Sequence, residues 1–157
     1  MIMSVKDYVY IQTPYFTPDI QFINALKIAA SSGVDVRIMV PGKWDKSYVR
    51  AAAYEFIREV MDYGITFYHY NGFIHSKTLV SDDKVVTIGS TNIDTRSFEL
   101  NFEMNAVFYD KNLAIENKNI FLDDIKNSQK AEKEWFDTRF FLRRAIWFFC
   151  KLFSSLM

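Results

Sequence analysis

Residues 8–70 alternate between two hydrophobic periods, and this alternation narrows the fold more than any other feature of the sequence. Residues 8–12 read as a strand. Pro18-Asp19 then caps a helix in which Ile20, Ile23, Leu26 and Ala30 fall at helical spacing, and Ser32-Gly33 stops it. Residues 34–40 supply the next strand and Pro41-Gly42 turns the chain. Val49, Ala52, Ala53, Phe56, Val60 and Met61 mark a second amphipathic helix that ends near Gly64, before a third strand at residues 65–70. A β-α-β-α-β order implies crossovers that place helices on both faces of a buried sheet. Thr78, Leu79 and Val80 carry a fourth strand, Asp82-Asp83-Lys84 make a turn, and residues 85–88 return as a fifth, ending in Gly89-Ser90-Thr91-Asn92. Residues 103–109 add another strand. Residues 112–126 read as a helix with Leu113, Ile120 and Phe121 inward. The predicted fold is α/β, a mixed β-sheet flanked by helices, and 157 residues leave room for a single lobe.

The chemistry concentrates in residues 75–103. His75 and Lys77 are two apart in an alternating segment, so on a strand both project from one face and can meet one phosphate. The hairpin brings Ser90 and Asn92 to the same place. A phosphodiester hides a poor electrophile behind negative oxygens, so its site must neutralise that charge and supply a nucleophile and a proton donor. An imidazole titrates near neutrality and can attack phosphorus or protonate a leaving alkoxide. Lys77, Ser90 and Asn92 offer N–H and O–H donors to the nonbridging oxygens. Glu103 is placed to accept from His75 Nδ1–H and fix its tautomer. Such a site needs no metal and no cofactor.

The run His75-x-Lys77-x4-Asp82, followed by Gly89-Ser90-x-Asn92, resembles the HKD motif of the phospholipase D superfamily, with Ser90, Asn92 and Glu103 at the spacing of that family's phosphate-binding and histidine-orienting residues. Three further blocks resemble the carboxy-terminal lobe of bacterial cardiolipin synthases. They are Thr13-Pro14-Tyr15-Phe16-x-Pro18-Asp19, Gly72-Phe73-Ile74-His75-Ser76-Lys77, and Asn92-x-Asp94-x-Arg96-Ser97-Phe98-x-Leu100-Asn101-Phe102-Glu103. The resemblance implies a catalytic set of His75, Lys77, Asp82 and Glu103, and a reaction in which a phosphatidyl group passes through a phosphohistidine to a lipid hydroxyl. The substrate would be an anionic phospholipid.

Other residues carry open alternatives. Asp82 lies an odd number of residues from His75 and nominally faces the opposite side, which suits a structural role as well. Tyr15 and Phe16 follow the first strand, where α/β folds take substrate contacts, yet they also read as core aromatics. Arg96 suits a second phosphate or a brace against Glu99. His69 is the only other histidine, and Asn71 stands where a lysine would complete a second motif.

Lys plus Arg and Asp plus Glu balance at 19 each, so no global basic field points to nucleic acid. Fifteen Phe and nine Tyr suit an aromatic core or a lipid contact surface. The single Cys150 forms no internal disulfide and reads as a small apolar helix residue. Residues 139–157 form a separate basic amphipathic segment after a catalytic lobe at residues 1–138. Arg139, Arg143, Arg144 and Lys151 stand there without an acid, while Leu142, Ile146, Phe149, Phe153 and Leu156 trace one stripe. The stripe suits either a membrane surface or packing on the lobe itself. The apolar run at residues 145–150 is far too short to span a bilayer.

Cardiolipin synthases carry two HKD motifs and amino-terminal membrane helices; this chain has one motif, and its first residues look like a helix end just before a strand. The expectation is therefore a lobe truncated at its start, peripheral at the cytoplasmic face of a membrane, that works with a second HKD lobe as a homodimer or a separate chain. A homodimeric HKD phosphodiesterase or nuclease and a catalytically silent remnant are the alternatives.

Overall fold

A computed structural model describes residues 1–139 and 141–154. After a short 3-10 turn at Ile2–Ser4 the elements run β1 (Tyr8–Gln12), β2 (Phe16–Thr17), α1 (Ile20–Ser31), β3 (Asp35–Pro41), α2 (Ser47–Met61), β4 (Thr66–Tyr70), β5 (Thr78–Ser81), β6 (Val85–Gly89), β7 (Ile93–Asp94), α3 (Thr95–Glu99), β8 (Asn105–Phe108), α4 (Lys111–Lys126), β9 (Ser128–Lys130), α5 (Lys133–Asp137) and α6 (Phe141–Leu152). Seven strands form one mixed sheet in the order β8-β6-β5-β1-β3-β4-β9, and β2 pairs with β7 in a separate two-stranded piece.

β1 is central and wholly buried, parallel to β3 and antiparallel to β5. Its alternate side chains go to different cores, as the two-residue period of a strand requires. Val9 and Ile11 join Val36, Ile38 and Phe67 beneath α1 and α2, against Ile23, Leu26, Ala53, Ile57 and Val60. Tyr8 and Tyr10 point the other way, to Met39, Val80, Val86 and the α4 residues Ala114 and Phe121. Each fully buried Leu, Ile, Val or Phe contributes about 1.5–3 kcal/mol. This pair of apolar layers therefore provides the main stabilisation of the lobe.

The helix boundaries follow from their caps. The Asp19 carboxylate accepts from the Phe22 N–H at 2.7 Å, and α1 closes into Gly33 at φ +91°. Asp110 caps α4 in the same way, through the Leu113 N–H at 2.8 Å. One residue of the α1 spacing pattern and one inward assignment on α4 are corrected. Ile20 is 64 % exposed because it opens α1, one turn before the buried stripe of Ile23, Leu26 and Ala29 begins. Ile120 is 48 % exposed; Ala114 and Phe121 take the inward face of α4.

β1, β3 and β4 are parallel and β5 starts beside the end of β1, so the loops after Gln12, Pro41 and Tyr70 gather with residues 73–77 at one end of the sheet. The loop with His75 and Lys77 lies at this carboxyl-end edge, where open α/β sheets commonly place their sites.

Candidate active site

His75 sits in a non-strand segment ahead of β5, held by its neighbours. Ile74 is buried in the α4-side core, which turns Phe73 and His75 outward, and the two rings stack with centroids 5.6 Å apart. Lys77 folds back on the same segment. Its Nζ donates to His75 Nδ1 at 3.2 Å and to the His75 carbonyl at 2.9 Å. Burial lowers the Lys77 pKa from its ordinary value, with Glu103 and Asp94 opposing the shift.

The β6 end lies next to this pair because the Gly89 N–H donates to the Lys77 carbonyl at 3.3 Å. Only glycine fits there: a Cβ on Gly89 would collide with the Asn105 side chain and the Met104 carbonyl of the neighbouring strand. That close approach brings Ser90 against Glu103. Ser90 Oγ donates to Glu103 Oε2, the Met104 N–H donates to Ser90 Oγ at 3.0 Å, and Ser97 Oγ and Asn101 Nδ2 donate to Glu103 Oε1 at 3.2 and 3.1 Å. The Ser90 and Asn101 hydrogen bonds hold the Glu103 carboxyl below its ordinary pKa. Glu103 is therefore anionic, and its acceptor sites go to Ser90, Ser97 and Asn101 instead of His75. The expected Glu103–His75 hydrogen bond is corrected accordingly. Lys77 takes the Nδ1 side of the ring, and Glu103 orients Ser90.

Asn92 follows two residues after Ser90, and its buried carboxamide oxygen has no hydrogen-bond partner among the described residues. Its amide is not committed to the scaffold. Behind it, Thr13 ties two loops together: its Oγ1 donates to the Tyr15 carbonyl at 2.8 Å and accepts from the Ile93 N–H at 3.2 Å. Gln12 performs a similar task on the sheet, donating to Asp124 at 2.7 Å and accepting from Thr78 Oγ1 at 3.3 Å. Sequence reasoning passed over both residues. A buried polar pair such as Gln12-Thr13, at the end of an apolar strand, was the signal for them.

Three expected site residues have other duties. Asp82 sits in the β5–β6 turn, five residues beyond Lys77, which is roughly 16 Å at the usual rise. Its carboxylate accepts from the backbone N–H groups of Lys6, Asp7 and Tyr8 at 2.9, 2.9 and 3.0 Å. It pins the start of β1 to a turn in which Asp82 and Asp83 both adopt positive φ, +53° and +51°. These hydrogen bonds give Asp82 an anchoring role at the start of β1. Phe16 is fully buried and packs edge-on against Phe67 at 5.1 Å, so it is a core residue and no substrate contact. Tyr15 is half-buried with its hydroxyl on Asp45 at 2.6 Å. Arg96 is exposed on α3 and makes no ion pair among the described residues, with Glu99 or any other carboxylate.

His69 lies apart from this group. It is half-buried on β4 between Tyr54 and Phe136, at 5.8 and 6.5 Å, and burial lowers its pKa. It lines a cavity of about 450 Å³ with Tyr54, Trp135 and Phe136. The chain thus has one exposed histidine beside a cation. Among the described residues no three His, Cys, Asp or Glu side chains cluster as metal ligands would.

Residues 1–125 match the family described as the phospholipase D-like domain of cardiolipin synthase. Cardiolipin synthase 1 of Staphylococcus epidermidis is 49% identical over 140 residues, and a cardiolipin synthase of Staphylococcus aureus is 45% identical over 148. These alignments cover 88% and 94% of this chain but 29% of each relative, so the chain spans less than a third of their length. Among solved structures, the phospholipase D family member Nuc from Salmonella typhimurium superposes with a TM-score of 0.69 at 24% identity, covering 83% of this chain and 86% of its own. The phosphatidylserine synthase of Haemophilus influenzae gives 0.75 at 14% identity, over 99% of this chain and 43% of its own. At such identities these two establish the shared fold.

Proposed function

The chain belongs to the cardiolipin synthase phospholipase D-like domain family, and on that premise we propose that it is one lobe of a phosphatidyltransferase of phospholipid biosynthesis. His75 and the histidine of a second HKD lobe flank one phosphodiester. One imidazole attacks phosphorus, forming a P–N bond as the P–O bond to the leaving alcohol breaks, and the other imidazolium gives that oxygen its proton. The second imidazole then takes a proton from a lipid hydroxyl, which attacks the phosphohistidine and restores the first. Lys77 and Asn92 hold the nonbridging oxygens, whereas the single hydroxyl proton of Ser90, expected to serve there as well, is spent on Glu103.

The observation that carries this reading is an exposed His75 with Lys77 Nζ at 3.2 Å, while His69, the other histidine, is committed to an aromatic cluster elsewhere. The site holds half of a two-imidazole device. Its rim supports a docked partner: Leu100, Phe102 and Met104, which bracket Glu103, are exposed by 70 %, 107 % and 80 %. Bare apolar side chains of that size beside a site favour burial against another surface. Anionic phospholipid is the substrate class, and the lobe works peripherally on a membrane, on the cytoplasmic side. No described helix is long and apolar enough to cross one.

The test is transfer by the lobe paired with a second HKD lobe, read as acid-labile, base-stable phosphate on histidine after brief exposure to labelled phosphatidylglycerol. Label on the paired protein that disappears with His75→Ala supports the reading. Phosphatidyl transfer by the His75→Ala pair at the parental rate would reject it.

A further inference from the structure

Helix α6 meets the lobe by one edge only. Trp147 is buried against Tyr54, Trp135 and Phe136, with ring centroids 5.4, 6.1 and 6.1 Å away, and Lys151 pairs with Glu59 of α2, which also holds Lys27 at 2.7 Å. Neither contact uses the apolar stripe. Leu142, Ile146, Phe149 and Phe153 are 62 %, 50 %, 60 % and 56 % exposed, and Phe141, Phe148 and Leu152 are exposed beside them. Leu156, the last expected member of the stripe, lies outside the described residues. At 100° per residue, the unbroken apolar face covers roughly 160° of the helix circumference. The sequence left open whether this helix packs on the lobe or faces a membrane. The structure separates the two surfaces, with Trp147 inward and the stripe outward.

The charges divide in the same way. Arg139 stacks over Trp135 at 3.9 Å and Lys151 is held by Glu59, so neither is available to a partner. Arg143 and Arg144 are exposed, flank the apolar face on its two sides, and make no ion pair among the described residues. Arg143 also lines a groove of about 520 Å³ between α2 and α6 together with Arg50, Tyr48, Ile146 and Trp147. Arg50 is exposed and likewise unpaired among the described residues.

We propose that the outward face of α6 is an interfacial docking surface for an anionic phospholipid bilayer, with Phe149, Ile146 and Phe153 among the acyl chains and Arg143, Arg144 and Arg50 at the phosphate level. A wide apolar face flanked by unpaired arginines is the arrangement an interfacial helix requires, since arginine stems lie along the apolar boundary while their heads reach the lipid phosphates. A second copy fits poorly. α6 carries no Asp or Glu, so two such faces packed together would set four arginines around one seam without a carboxylate. The inference deepens the reading of a lipid-active lobe but is tested without turnover, so the two can fail separately.

The experiment is co-flotation of the whole chain with vesicles of phosphatidylcholine alone or mixed with phosphatidylglycerol. Binding is expected on the mixed vesicles and to weaken with salt. Arg143→Gln with Arg144→Gln should weaken it by roughly thirtyfold. Ile146→Glu with Phe149→Glu should abolish it without changing the melting temperature, because both residues are exposed. A Phe149→Trp chain should gain fluorescence quenching by acyl-chain-brominated lipid relative to the parent. Equal binding to neutral vesicles, binding unaffected by either double variant, or no added quenching at residue 149 would overturn the proposal. So would conversion of a lipid-free dimer to monomer by the glutamate variant.

Discussion

Lys77 Nζ caps His75 Nδ1 at 3.2 Å while also bonding the His75 carbonyl at 2.9 Å, so one cation fixes both the ring and the backbone that carries it. An ammonium has donors only, which makes Nδ1 the acceptor in this arrangement. A phosphate bound here is expected to compete for the same ammonium. The lysine can therefore pass from imidazole to substrate oxygen as the site fills.

Both side chains stand outside the core, and their loss should leave the fold intact. His75→Ala and Lys77→Ala are expected to lower turnover of the assembled two-lobe enzyme by two or more decades, about the usual cost of removing a nucleophile, a general acid or its electrostatic support. His69→Ala should cost less than about tenfold, since its ring serves packing against Tyr54 and Phe136. Steady-state rates with an aryl phosphodiester, alongside melting curves, distinguish these outcomes.

Asp82 should behave as a stability residue. Burial alone would raise its pKa, but the N–H groups of Tyr8, Lys6 and Asp7 outweigh that effect and bring it below its ordinary 3.8. A depressed carboxyl pKa contributes stability that is complete above the unfolded value and disappears as pH falls through the folded one. Asp82→Asn should therefore cost about 1–2 kcal/mol at neutral pH, and the difference from the parent should shrink once pH drops below 3.8. Denaturant titrations at several pH values measure it.

Phe16 and Tyr15 are neighbours with different expected costs. Phe16→Ala empties a fully buried site against Phe67 and should destabilise by roughly 3–5 kcal/mol, whereas Tyr15→Phe removes one hydroxyl from Asp45 and should cost about 1 kcal/mol. Calorimetry of the two variants checks the order. Equal effects would contradict the placement of Phe16 in the core.

Gly89→Ala should disturb the site from behind. The added methyl meets Asn105 and the Met104 carbonyl, so β8 must shift and carry Glu103 away from Ser90. Stability and turnover should fall together, which the same melting and rate measurements would register.

The long elements were legible because each presents a full period to a buried layer: five residues of β1, seven of β3 and fifteen of α2. β2, β7 and the polar β9 have two or three residues each, too few for any period, and exist only because tertiary partners supply their hydrogen bonds. Ile20 and Ile120 misled because an apolar residue at helical spacing need not face the core when it starts a helix or sits at the edge of its stripe. The site residues were legible as types, yet competition among them was not. Nothing in the spacing of His75, Ser90 and Glu103 indicates that the carboxylate will prefer Ser90, Ser97 and Asn101, a choice made by the close β6–β8 contact at Gly89. Asp82 was visible at its motif position, whereas its three amide partners lie more than seventy residues away at the start of β1.

This lobe is expected to supply one working imidazole and to draw the other from a second lobe. The most direct measurement is specific activity toward a soluble aryl phosphodiester across a dilution series, with assembly followed in parallel by sedimentation. Activity per chain should track the fraction assembled with a second HKD lobe and vanish for the monomer. A monomer with full specific activity would show that one lobe suffices.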